Sequence, residues 1–270
     1  MDEKTAPGQR SALLSAIPRD QVRWIVLGLL LGIATASWIV LWAWGSRAGF
    51  MMEGPSMGLG AIGFLTAWGV MMVAMMFPTA APMVLMFARV QGGKRRQGQA
   101  FVATWVFVAG YLILWIAFGL PVYGLAVAIE HIVNEVGIAT TSLARAGGLL
   151  ILLAGLYQLS PLKRACLTHC RSPLHFVLTH WRDGALGALA MGTRHGVYCL
   201  GCCWLLFLIL LPIGFMNIAA MVLLTALIFA EKALPFSRPV RVAAAGLLAM
   251  WGTLVLFAPH LLPVTMGMEH

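Results

Sequence analysis

Apolar positions in this chain do not alternate with polar ones, nor do they form narrow stripes. They run in long blocks separated by short polar gaps. Blocks fall at about 22–44, 61–87, 100–128, 145–161, 197–213, 216–231 and 241–259, and a spanning helix needs roughly 20 apolar residues. The pattern predicts an all-α, polytopic transmembrane helix bundle of seven spans, with six as the alternative because the fourth to sixth blocks are short. Strands of a membrane barrel would alternate between lipid and lumen faces, so blocks of this kind exclude them. The segment from Gly184 to Gly196 is expected to be a re-entrant or broken piece feeding the fifth span. Gly28 and Gly32, four apart in the first span, suggest a close helix contact there.

Composition agrees: 61% of residues are hydrophobic, 10% are charged, and the mean hydropathy is +0.89. The lipid bilayer is therefore the first partner. A net charge of +9 would suggest nucleic acid if it formed one soluble patch. Here the basic residues sit in the gaps between spans, so no nucleic-acid partner is expected and the charge reads as topology. With seven spans, 16 of the 18 Lys and Arg fall on one side and 2 on the other. The positive-inside rule then makes the N-terminus cytoplasmic. The resulting layout is a cytoplasmic tail at 1–21, a single transmembrane domain at 22–259 carrying a cytosolic Cys/His loop at 162–203, and an external tail at 260–270. The first block resembles a signal peptide at Ala34-Thr-Ala36, but its polar lead-in is long and the apolar run continues through Trp44, as in a retained anchor.

All 5 cysteines fall between Cys166 and Cys203. Clustered thiols point to metal or redox chemistry, because packing alone gives no reason to cluster. Cys166, His169 and Cys170 would share one helical face if the fourth span continued past Pro161, and Cys199, Cys202 and Cys203 share another. In a reducing cytosol a structural disulfide is disfavoured and a thiolate metal site favoured. In the second span Met72, Met75, Met76, Met83 and Met86, with Thr79, follow helical spacing and place soft thioethers on one face. Pro78 and Pro82 are expected to kink that helix and free backbone carbonyls. Glu231 and Lys232 read as an interfacial ion pair closing the sixth span. Met266, Met268, His270 and His260 form a minor external set of donors.

Three functions fit the cysteines. Cu(I) uses thiolates and thioethers together and accounts for both features, with Cys166, His169, Cys170, Cys199, Cys202, Cys203, Met72, Met75 and Met76 as candidate ligands. A Zn(II) staple in a structural subunit of a membrane complex would leave the methionines unexplained. A thiol-disulfide oxidoreductase would use Cys199 and Cys202 with Cys166 and Cys170. The favoured role is metal handling by transport, insertion or delivery, with a soluble metallochaperone or a membrane enzyme as partner and no catalytic residue assigned.

The runs Trp68-Gly-Val-Met-Met-Val-Ala-Met-Met-Phe-Pro78, Tyr157 to Pro173 and His195-Gly-Val-Tyr-Cys-Leu-Gly-Cys-Cys-Trp204, followed by Gly214-Phe-Met-Asn217 and Glu231-Lys232, resemble a bacterial family of predicted metal-binding integral membrane proteins, a domain of unknown function. The resemblance covers about residues 60–235. It implies a multi-pass location in a bacterial inner membrane and a metal-binding role.

Overall fold

The computed structural model describes residues 19–47 and 54–262. Met266, Met268 and His270, and most of the predicted N-terminal tail, lie outside the described residues. Ten α-helices follow in order among the described residues: α1 Arg19–Arg47, α2 Ala61–Arg96, α3 Thr104–Val136, α4 Thr140–Tyr157, α5 Pro161–Arg171, α6 Pro173–His180, α7 Gly184–Leu208, α8 Leu210–Ile213, α9 Ile218–Ala233 and α10 Ser237–Phe257. The fold is all-α, as expected.

Six of these segments are long and apolar enough to cross a membrane, α7 and α8 counting as one run over Gly184–Ile213. The sixth predicted block is helical too, as α9, but its 16 residues make only about 24 Å of helix. Side chains such as Ile62, Leu186, Leu223 and Phe257 are 70–85% exposed on the outside of the bundle. An apolar exterior around a packed interior is what a lipid environment requires. The chain is a multi-pass membrane protein.

The helices run up and down. The Ser56 amide donates to Glu130 Oε1 at 2.6 Å, which places the α1–α2 connection beside the end of α3. At the other end Lys94 pairs with Asp183, joining the end of α2 to the start of α7. We call this second end the basic end, since Lys94, Arg95 and Arg96 close α2 there.

Small residues set the closest helix contacts. A Cβ on Gly192 would lie 2.0 Å from the Phe107 carbonyl oxygen, and one on Gly110 would lie 2.2 Å from that of Leu189, so α3 and α7 touch backbone to backbone. Gly148, Gly155 and Gly252 do the same for α4 and α10. Such contacts suit a bundle in lipid, where association depends on close packing. The expected contact at Gly28 and Gly32 is not made: a Cβ on either would meet nothing within 4 Å.

Two more expectations are corrected. The segment from Gly184 to Gly196 is neither broken nor re-entrant but the first half of continuous α7. Two of its glycines, Gly192 and Gly196, lower helix propensity but allow the approach to α3. The predicted loop 162–203 is almost wholly helical, and the fourth span does not run on past Pro161. The chain turns at Gln158–Ser160 and restarts as α5, with the Ser160 Oγ accepting from the Lys163 amide and Pro161 in the first turn. Helix α2 passes through Pro78 and Pro82 unbroken. Pro78 has no N–H for the Ala74 carbonyl, and the Trp38 indole of α1 donates to that oxygen instead, at 3.1 Å.

Candidate metal centre

Four cysteines converge inside the bundle. Cys199, Cys202 and Cys203 are at most 1% exposed and Cys170 is 8% exposed. The Cys170 thiol of α5 packs in the same buried cluster as Cys199, Cys202 and Cys203 of α7. All five cysteines are free thiols. Within α7 the Cys202 and Cys203 thiols donate to the Cys199 carbonyl oxygen at 3.0 and 2.8 Å. The i, i+3, i+4 spacing puts both thiols over one peptide oxygen and gives each a partner in a dry interior.

Cys199 is the hub. Its sulfur takes a contact of 3.0 Å from the Tyr111 hydroxyl of α3 and another of 3.0 Å from Lys232 Nζ of α9. Lys232 Nζ also lies 3.5 Å from the Thr79 hydroxyl of α2, which donates to the Met76 carbonyl and sits 3.8 Å from the Met76 sulfur. Thus α2, α3, α5, α7 and α9 all reach this point. It lies about 21 Å of helix from the Ile213 end of the α7–α8 run.

Helix α5 is held here by charge. Its buried face carries Lys163, Leu167 and Cys170. Lys163 Nζ meets Glu231 Oε2 of α9 at 2.7 Å, with the two side chains 0% and 2% exposed. Arg171 donates to the Glu231 carbonyl oxygen at 3.0 Å. Glu231 and Lys232 therefore do not pair with one another, as the sequence suggested. They turn to different partners, one fastening the Cys170 helix and the other reaching Cys199.

Cys166 is half-buried at the edge. A Cβ on Gly201 would stand 2.6 Å from its sulfur, so the glycine leaves the space the thiol occupies. Burial raises the Cys166 pKa, and neighbouring Cys202 raises it further. The Cys170 pKa is raised well above the usual thiol value, first by its contacts with Cys199 and Cys202 and then by burial.

Met72, Met75 and Met76 are fully buried in one apolar cluster with Cys170, Cys199, Cys202 and Cys203. Met71 joins them, although the predicted stripe omitted it. Met83 is buried in a second cluster nearer the basic end, and Met86 packs at its margin. Beyond the methionines, Phe64, Trp68 and Phe215 pack as an aromatic plug toward the opposite end.

His169 is placed apart from the thiols. Its ring stacks on Tyr198 at 4.2 Å and its Nδ1 lies 2.9 Å from the Ala165 carbonyl oxygen. Among the described residues no three His, Cys, Asp or Glu side chains already converge as a finished metal site. What exists is a dry group of soft donors around a lysine and a tyrosine, which a soft cation could enter by displacing thiol protons. Tyr111 and His195 are polar residues of α3 and α7 that the candidate ligand set did not include, and Lys232 was read as an interfacial charge instead of a neighbour of Cys199. The four-residue step from His195 to Cys199 was the available signal for the histidine.

A family model described as "PpoB2: Copper chaperone" matches residues 65–255. The match takes in the methionine stripe, both cysteine motifs and Lys232. No curated protein and no solved structure gives a significant match.

Proposed function

The chain belongs to this copper chaperone family, and from that premise we propose that it carries Cu(I) within the membrane and delivers it to the copper site of a partner protein. Handling copper is the general role of the family. The finer reading assigns Cys170, Cys199, Cys202 and Cys203, with Cys166 at the margin, as the thiolate station, and Met72, Met75 and Met76 as thioether donors that exchange the ion with it. His169, on the same helix as Cys166 and Cys170, stays in the candidate set as an outer donor.

One observation carries this: four cysteines and four α2 methionines, Met72, Met75 and Met76 among them, are buried in a single cluster. Thiolate plus thioether selects a soft ion, and Cu(I) is the soft ion a copper chaperone handles. Zn(II) would be served by the thiolates alone and gives the methionines no task. The charge bias of the loops supports a cytoplasmic basic end, with the thiolate station toward that side and the methionines leading away from it. The family resemblance supports a bacterial inner membrane. A soluble metallochaperone would load the basic end, and a membrane or external enzyme would receive the ion.

Elemental analysis of the purified protein beside a variant with Cys170, Cys199, Cys202 and Cys203 all changed to Ser tests the assignment. Copper near one equivalent in the first and near zero in the second is expected, and equal copper in both would overturn it. A second reading is favoured by the Lys232 contact, since an ammonium beside Cys199 also suits a thiolate that attacks disulfides. That reading requires a disulfide or mixed disulfide at Cys199 in intact cells, detectable by thiol trapping and mass mapping.

A further inference from the structure

His195 is a buried polar residue of α7 whose burial packing alone does not explain. It is 2% exposed, and its Nδ1 has no hydrogen-bond partner. Its ring lies against Tyr111 at 5.6 Å and 25° and against Phe107 at 6.1 Å and 27°, with the edge of Phe176 at 5.6 Å. Aromatic neighbours thus hold the ring faces and leave the nitrogens to work in the ring plane. Phenylalanine would satisfy that slot without burying a polar atom, so an unpaired nitrogen there calls for a ligand.

The helix supplies one. Met191, His195, Cys199 and Cys203 are spaced four apart on α7, and all four are at most 2% exposed. Residues at this spacing stack on one face about 6 Å apart. The Tyr111 ring that lies against His195 is the one whose hydroxyl touches the Cys199 sulfur. Gly192 and Gly196 press the flanking turns of α7 against α3, so the column faces a closely packed interior.

We propose that His195 is a Cu(I) ligand paired with Cys199, and that Met191, His195, Cys199 and Cys203 form one continuous column of donors leading from the basic end of α7 to the thiolate station. The assignment rests on the copper reading above and specifies it. Its chemistry is favourable in a dry interior: Cu(I) held by one thiolate and one neutral imidazole carries no net charge, whereas two thiolates leave a negative charge to be buried. A linear two-coordinate ion can pass along such a column by exchanging one donor at a time.

The test is X-ray absorption at the copper edge on the full-length protein loaded anaerobically with one equivalent of Cu(I). The outer-shell scattering of an imidazole is expected in the wild-type protein, retained in His169→Ala and lost in both His195→Phe and His195→Gln. Two variants are used so that a folding failure in one leaves the other readable, and the His169→Ala spectrum stands without either. A sulfur-only shell in the wild-type protein, or an imidazole signal that survives in a folded His195 variant, overturns the assignment while leaving the copper reading intact. A wild-type protein that binds no copper overturns both.

Discussion

Lys232 Nζ lies 3.0 Å from the sulfur of Cys199, joining the last turn of α9 to the middle of α7 across 33 residues of chain. A cation at that distance stabilises a thiolate more than a thiol, so the contact readies Cys199 to give up its proton to an incoming soft ion.

Removing the cation while keeping the side-chain length tests this. Lys232→Met is expected to weaken Cu(I) binding about 10-fold or more, the scale of one hydrogen bond to a charged group at about 1.5–3 kcal/mol. Competition against a chromophoric Cu(I) chelator measures it. Affinity that is unchanged, or tighter, would mean that Lys232 merely fills the space the ion must take.

The Lys163–Glu231 pair predicts a stability effect that is separable from copper. Both groups are buried, so Glu231→Gln leaves the Lys163 charge without its counterion, at a cost of about 3–5 kcal/mol. The double variant Lys163→Met with Glu231→Leu removes both charges and is expected to recover most of that loss. Thermal unfolding of the apo protein in detergent reads out the three forms. Equal melting temperatures for the single and double variants would show that the pair does not fasten α5.

The spans were legible because lipid rewards unbroken apolar blocks, and the blocks at 61–87 and 241–259 coincide closely with the cores of α2 and α10. The first half of α7 was not legible. Gly192 and Gly196 look like loop residues until α3 is placed against them, and their purpose is a contact that local pattern does not contain. The Cys199, Cys202 and Cys203 group could be read from spacing within one helix. The approach of Cys170 could not, since it depends on a turn at Ser160 and a buried ion pair to α9. Lys232 was read as an interfacial charge because its partner is 33 residues away.

Glycine positions near the site separate backbone approach from side-chain approach. The Cβ of Gly192→Ala would stand 2.0 Å from the Phe107 carbonyl oxygen, a rigid backbone atom, so α3 and α7 must part. This variant is expected to lose assembly, seen as aggregation on size exclusion. In Gly201→Ala the clash is with the Cys166 thiol at 2.6 Å, a side chain that can turn away. That variant should fold and bind near-normal copper while Cys166 becomes several-fold faster to alkylate. A Gly192→Ala protein as monodisperse as wild type would refute the backbone contact.

Copper loading should release protons, with a sign set by Cys166 and Cys170. Both pKa values are raised, Cys166 first by burial and Cys170 first by its contacts with Cys199 and Cys202, so both thiols hold their protons at neutral pH. An ion that ligates them must displace those protons. Apparent affinity therefore rises with pH, by about tenfold per pH unit for each proton released, and falls as acid returns the protons to the free protein. The dependence flattens only once pH passes the raised thiol values, above the usual thiol range. Calorimetric titration of Cu(I) in two buffers of different ionisation enthalpy counts the protons. Each α5 thiol that ligates adds about one proton per copper to whatever the α7 cysteines release, so Cys170→Ser is expected to lower the count by about one if Cys170 is a ligand. A pH-independent affinity between pH 6 and pH 8 would mean that neither α5 cysteine is a ligand.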